Sequence, residues 1–186
     1  MSSKFTRRLF TYDDCLRMAE AGVLSPLEKI ELIHGELFVV SPPGPRHGAA
    51  VDATSAAMIQ ILHGKAIVRT QGAVVLDKFA APMPDIALLR PRDDFYVRKN
   101  PDAADILLIV EVASSSLELD TTVKLQLYAI MGIPQYWVAD LVNDRLLIHT
   151  DPVEGRYRTI REFRRGVTVA PHLLPECKIS ADLLLP

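Results

Sequence analysis

The segment Ile-Leu-Leu-Ile-Val-Glu-Val (106–112) constrains this chain more than any other. It is a short apolar run that reads as a core strand. A helical pattern follows over Thr121–Met131 and is stopped by Gly132-Ile-Pro134. A second apolar run, Gln135–Asp140, comes next. Strand, helix and strand in that order predict a parallel pair joined by a right-handed crossover.

The rest of the chain adds hairpins and helices around that step. Thr11 is placed to cap a helix whose first turn carries Asp13 and Asp14, and Gly22 ends it. Lys29–Ile33 and Glu36–Val40 flank His34-Gly35, a two-residue hairpin turn. Ser41-Pro-Pro-Gly-Pro breaks structure, and His47–His63 then reads as a helix with Val51, Met58, Ile59 and Leu62 on its core side. Ala66–Thr70 and Ala73–Leu76 read as strands joined by Gln71-Gly72. Asp85 falls within a further strand, and Pro91–Asp105 is a loop with room for one helical turn. Arg145–Thr150, Arg156–Arg161 and Gly166–Ala170 are strands, with Ala181–Leu185 a short terminal helix. The expected fold is α/β: a mixed sheet flanked by helices, with an N-terminal helix and hairpin extension. All 186 residues are expected to form one domain.

Composition narrows the setting. With 49% hydrophobic residues the chain can build a core without staples. Cys15 and Cys177 form no Cys-x-x-Cys pair, which argues against a disulfide scaffold or structural zinc and for a reducing, cytoplasmic compartment. The opening segment has charge but no apolar stretch of the signal-peptide type, and no run approaches the ~20 apolar residues of a membrane helix. A net charge of −2 argues against a protein that coats nucleic acid, though not against a local basic rim. Rim candidates are Arg90, Arg92, Arg98, Lys99, Arg161, Arg164 and Arg165; the alternative is solvated surface.

Two carboxylates stand out. Asp85, in Met-Pro-Asp-Ile-Ala-Leu-Leu (83–89), and Glu111 each sit at the end of an apolar run, where acids are rare unless paired or bound to metal. On adjoining strands they would form a hard-oxygen site suited to Mg2+, with Mn2+ as a substitute, and the backbone carbonyl of Val112 would be a third oxygen. Waters and a phosphate oxygen would complete the shell. A lysine nearby would orient the attacking water and stabilise the transition state, and Lys124 begins the next helix.

Pro84-Asp85, then Glu111-Val112-Ala113, then Lys124 resembles the PD-(D/E)XK nuclease superfamily, and within it an uncharacterised restriction-endonuclease family of small bacterial proteins. Glu31-Leu-Ile-His-Gly-Glu-Leu, Ser41-Pro-Pro with His47-Gly48, Lys124-Leu-Gln-Leu-Tyr128 and Gly132-Ile-Pro-Gln-Tyr-Trp-Val carry the likeness across residues 10 to 184. The resemblance implies a restriction-endonuclease-like fold and magnesium-dependent hydrolysis of DNA; a homodimer could cut two strands, and the sequence leaves the oligomeric state open. It also implies that Lys124 takes the role of the superfamily lysine, because that motif position is Ala113 here. Two further departures are Ser114-Ser-Ser without the proline common in relatives, and His34 where relatives often have Asp.

Each assignment has a plainer alternative. Asp85 could cap the turn after Pro84, and Glu111 could be satisfied by backbone donors or by Lys124. Lys124 could be a surface residue paired with Asp120 at i,i+4. Glu31 and Glu36 could be exposed hairpin charges, with either a possible third acid; Glu36 and His47 are secondary site candidates. His47 could be purely structural at its helix start, Ser114–Ser116 could cap the following helix, and Tyr128 and Trp137 read as core aromatics. The whole chain could be a catalytically silent binding or oligomerisation module on a nuclease fold, or could hydrolyse RNA or another phosphoester at the same site.

Overall fold

A computed structural model describes residues 6–25 and 27–186. The opening residues 1–5, part of the segment read against a signal peptide, lie outside the described residues. Helix α1 (Tyr12–Glu20) begins with the expected cap, elaborated into a capping box: Thr11 Oγ1 accepts from the Asp14 amide, and the Asp14 carboxylate accepts from the Thr11 amide. Strands β1 (Lys29–Ile33) and β2 (Glu36–Val40) form a hairpin of their own. Its turn residues, His34 and Gly35, both have positive φ, as a two-residue turn of this hand requires.

Helix α2 (Pro45–Leu62) buries Ala50, Val51, Thr54, Ser55, Met58 and Leu62, one helical stripe. Ile59, expected on that stripe, is exposed.

The main sheet has six strands in the order β3-β4-β5-β6-β7-β8: β3 (Ile67–Thr70), β4 (Ile86–Leu89), β5 (Ile106–Ala113), β6 (Gln135–Asp140), β7 (Arg145–Val153) and β8 (Arg156–Phe163). Only β5–β6 is parallel, as the strand–helix–strand reading required; the other pairs are antiparallel. The expected strand at 73–76 is absent. Its amides instead bond to loop carbonyls, Val74 to Pro82 and Val75 to Pro101. A 3-10 turn at Ala103–Asp105 occupies the loop before β5. The short strands β9 (Thr168–Val169) and β10 (Ile179–Ser180) pair with each other, and a 3-10 turn follows.

Alternation along the strands divides the core in two. Ile86, Leu88, Leu108, Val110 and Val112 pack on the α2 side with the C-terminal segment. Ala87, Leu89, Ile109, Ala113, Tyr136 and Val138 face the other side, which is covered by the segment after β5. That segment was expected to be one helix over Thr121–Met131. It starts earlier and is broken in two, α3 (Leu117–Thr121) and α4 (Val123–Ile130), at Thr122. Two groups divert the ladder there: Tyr136 Oη donates to the Asp120 carbonyl (2.9 Å), and Thr122 Oγ1 donates to the Glu118 carbonyl (2.6 Å). No described helix is long and apolar enough to cross a membrane.

Candidate active site

Asp85 and Glu111 meet where β4 begins and β5 ends. Asp85 lies one residue before β4 rather than inside it. The antiparallel register pairs Ile86 with Val110, so its next step sets Asp85 opposite Glu111, on the face that carries Ala87 and Ile109. Two bonds tie each acid to backbone on the other's side of the pair. The Asp85 amide donates to Glu111 Oε2 (3.2 Å), and the Val112 amide donates to Asp85 Oδ2 (2.9 Å).

The same register brings Pro84 opposite Val112. The N–H and C=O of a strand residue point to the same neighbour, so the Val112 carbonyl is directed towards Pro84, which has no N–H to give. The Pro-Asp pair thus supplies a carboxylate and leaves a carbonyl without its ladder donor.

Lys124, on α4, is 3% exposed, which removes the surface-residue alternative. Its Nζ lies 2.9 Å from Glu31 Oε2, 3.0 Å from Glu111 Oε1 and 3.5 Å from Asp120 Oδ1. The Asp120 pairing expected from i,i+4 spacing therefore exists, as one of three. Tyr128 Oη donates to the same Glu111 oxygen at 3.1 Å. Tyr128 is a core aromatic as expected, but its hydroxyl also anchors the acid. Ser116 Oγ donates to Asp120 Oδ2 (2.6 Å); its side chain makes no bond to the backbone of α3, so the capping expected of the serines is not made by Ser116.

His47, in the first turn of α2, places Nε2 3.0 Å from Asp85 Oδ2. With the proton on Nε2, the ring donates to the acid and fixes its orientation. Of the two hairpin acids, Glu31 is fully buried in the site, whereas Glu36, a secondary candidate in sequence, sits beside the turn at the surface, 3.5 Å from Arg7. Sequence alone gave no way to separate them. A cavity of about 30 Å³ lies among these groups, with Lys29, Pro43 and the three serines at its wall. None of the expected rim arginines lines it. Arg92 pairs with Asp94, Lys99 with Asp102, and Arg164 and Arg165 with Glu162 and Asp144, as solvated surface charges do.

The electrostatics follow from burial. Desolvation pushes the Glu111 carboxyl well above the usual range, against the pull of Lys124, and it raises Asp120 in the same way. For Asp85, burial also pushes upward, but the His47 bond and charge and the Val112 amide outweigh it, so its carboxyl is held below its ordinary value. Burial would lower the Lys124 ammonium, yet Glu111, Glu31 and Asp120 together hold it above its ordinary value.

The donor set suits a hard divalent cation. Three buried carboxylates, Glu31, Glu111 and Asp120, surround one buried ammonium, a fourth, Asp85, lies beside Glu111, and the oxygens of Glu31 and Asp120 Oδ1 have no aligned hydrogen-bond donor. Among the described residues, no group of three or more His, Cys, Asp or Glu side chains is placed to hold a metal ion by itself. That is compatible with magnesium, which takes one or two carboxylates and keeps several waters.

Comparison with known proteins shows a family and a fold. The profile of the Uma2 family, described as "Putative restriction endonuclease", matches residues 12–182. The chain is also similar to the crystal structure of a "putative nuclease" from Anabaena variabilis ATCC 29413. The TM-score is 0.74 at 16% identity, over 94% of this chain and 97% of that one, a likeness of fold. No curated protein matches the sequence.

Proposed function

The chain belongs to the Uma2 family of restriction-endonuclease type, and from that premise we propose that it is a magnesium-dependent endonuclease that hydrolyses DNA phosphodiester bonds. One observation carries the reading: Asp85, Glu111 and Lys124, far apart in sequence, converge in a buried, acid-rich pocket. Burying charges at this density is costly, and such groups cluster at functional sites.

In this reading the carboxylates of Asp85 and Glu111 and the carbonyl of Val112 hold the ion. Magnesium, when bound, lowers the pKa of a water and neutralises charge developing on the phosphate, and manganese can replace it. The chain's own groups do the rest. Lys124 directs its ammonium at the attacked phosphate and the incoming water, where fixed charge stabilises the transition state. His47 keeps Asp85 oriented and ionised. Tyr128 holds Glu111.

The test is titration of magnesium and manganese into wild type and Asp85→Ala, followed by incubation of each with plasmid DNA. Metal binding and cleavage that both vanish with Asp85 support the assignment. Metal binding that is equal in the two proteins places the site elsewhere, and a wild type that binds the ion yet leaves DNA intact favours the silent scaffold.

A further inference from the structure

We propose that Glu31 is a positioning residue for Lys124, holding its ammonium in place so that Glu111 is free to serve the ion; this rests on the nuclease reading above. Glu31 is fully buried, and neither of its oxygens has an aligned hydrogen-bond donor. Its partner is Lys124 Nζ at 2.9 Å, the shortest of that ammonium's three ion pairs; Lys29 Nζ is at 4.0 Å. A carboxylate placed this way interacts by charge more than by directed bonding.

The supporting element is separate from the catalytic strands. Glu31 sits on the β1–β2 hairpin, a two-stranded sheet of its own. The hairpin is fastened to the body by the Ala81 amide donating to the Leu32 carbonyl and the Gly35 amide donating to the Phe79 carbonyl. It thus delivers one buried charge into the site from outside the main sheet.

That charge is needed when Glu111 changes partner. Glu111 Oε1 receives both Lys124 and Tyr128, and its other oxygen receives the Asp85 amide. An oxygen turned towards a cation weakens its hold on the ammonium. Asp120 is farther away, at 3.5 Å, and its other oxygen is tied to Ser116. Glu31 is then the carboxylate that keeps Lys124 aimed.

A double-mutant cycle with Glu31→Gln and Lys124→Met tests this with three readouts. In kcat on plasmid DNA, Glu31→Gln should lose about 100-fold, the scale of a small misplacement of a reacting group, with KM little changed. It should lose almost nothing further in the Lys124→Met background. Magnesium affinity, measured by calorimetry, should stay within about threefold of wild type, because Glu31 contacts the ammonium and not the ion, so its effect on the ligands is indirect. In metal-free protein with chelator, the melting-temperature effects should be non-additive, with Glu31→Gln relieving part of the loss caused by Lys124→Met. Glu31→Asp, with a shorter reach, should give an intermediate kcat. Loss of magnesium binding in Glu31→Gln would make Glu31 a ligand and overturn the proposal, as would additive effects in the cycle. A wild type that binds magnesium and cuts no DNA ends the nuclease reading and the positioning role with it, while the metal-free cycle still reports whether the Glu31–Lys124 pair exists.

Discussion

Lys124 reaches Glu111 across 13 positions of chain and closes a 3.0 Å ion pair inside the protein. The pair joins α4 to the end of β5, so the helix that covers the sheet is also the element that delivers the cation. Breaking a buried pair leaves an uncompensated charge, typically at ~3–5 kcal/mol, whereas an exposed helical pair is worth about 0.3–0.5 kcal/mol. Effects on activity at this site must therefore be read beside effects on folding.

Lys124→Met should lower the rate of DNA cleavage by roughly 100- to 1,000-fold, the loss of one transition-state contact, while magnesium affinity is kept or improved. Ala113 shares the face of Glu111, so Ala113→Lys in the Lys124→Met background should restore part of the rate. Steady-state kinetics with parallel magnesium titrations check both points. An active enzyme indifferent to Lys124→Met refutes the assignment.

Magnesium should stabilise wild type by mass action, by about 2.7 kcal/mol at a hundredfold excess over Kd, and so raise its melting temperature. Asp85→Ala and Glu111→Ala should not respond. The Glu111 carboxyl is raised by burial, so the ion must displace its proton when the pH is low. The magnesium-induced shift should therefore shrink as pH falls from neutrality towards the carboxylate range, which a set of melts across pH would reveal.

His149 lies on β7, 3% exposed, between Tyr136 and Tyr157, and neither ring nitrogen has a hydrogen-bond partner. Burial lowers its pKa from 6.5 to about 4. The unfolded chain takes the proton first, so this group's contribution to stability is complete above pH 6.5 and is lost as pH falls from there to about 4. The loss is on the order of 3 kcal/mol. Urea titrations from pH 4 to 7 should show a steeper decline for wild type than for His149→Phe; parallel curves would mean that the ring does not titrate this way.

Gly35 closes the hairpin that carries Glu31. Its φ is +77°, and an added Cβ would stand 2.7 Å from Leu9 Cβ. Gly35→Ala should cost about 1–3 kcal/mol through strain and crowding. Because the hairpin holds Glu31 against Lys124, cleavage should fall more than the fraction unfolded accounts for. Activity that simply tracks the folded fraction would separate the turn from the site.

Local pattern was enough for the features that depend on near neighbours in sequence. Thr11 with Asp14, the His34-Gly35 turn, and the apolar runs of β4, β5 and β6 are decided by capping, backbone handedness and hydrophobic periodicity, all local properties. Asp85 and Glu111 were legible because a carboxylate at the end of a core strand is rare, and Lys124 because the order of motifs matched a family. Tertiary structure alone decided what the pocket encloses. Glu31 and Glu36 belong to the same hairpin, and only docking of that hairpin buries one over α4 and leaves the other at the turn. Tyr128 looked like any core aromatic until its hydroxyl met Glu111. The helix break at Thr122 required Tyr136, from a strand not yet formed in any local view, to take the Asp120 carbonyl. Sequence encodes such contacts only through the packing of distant elements, because Coulombic pairing and burial depend on distance in space and not on separation along the chain.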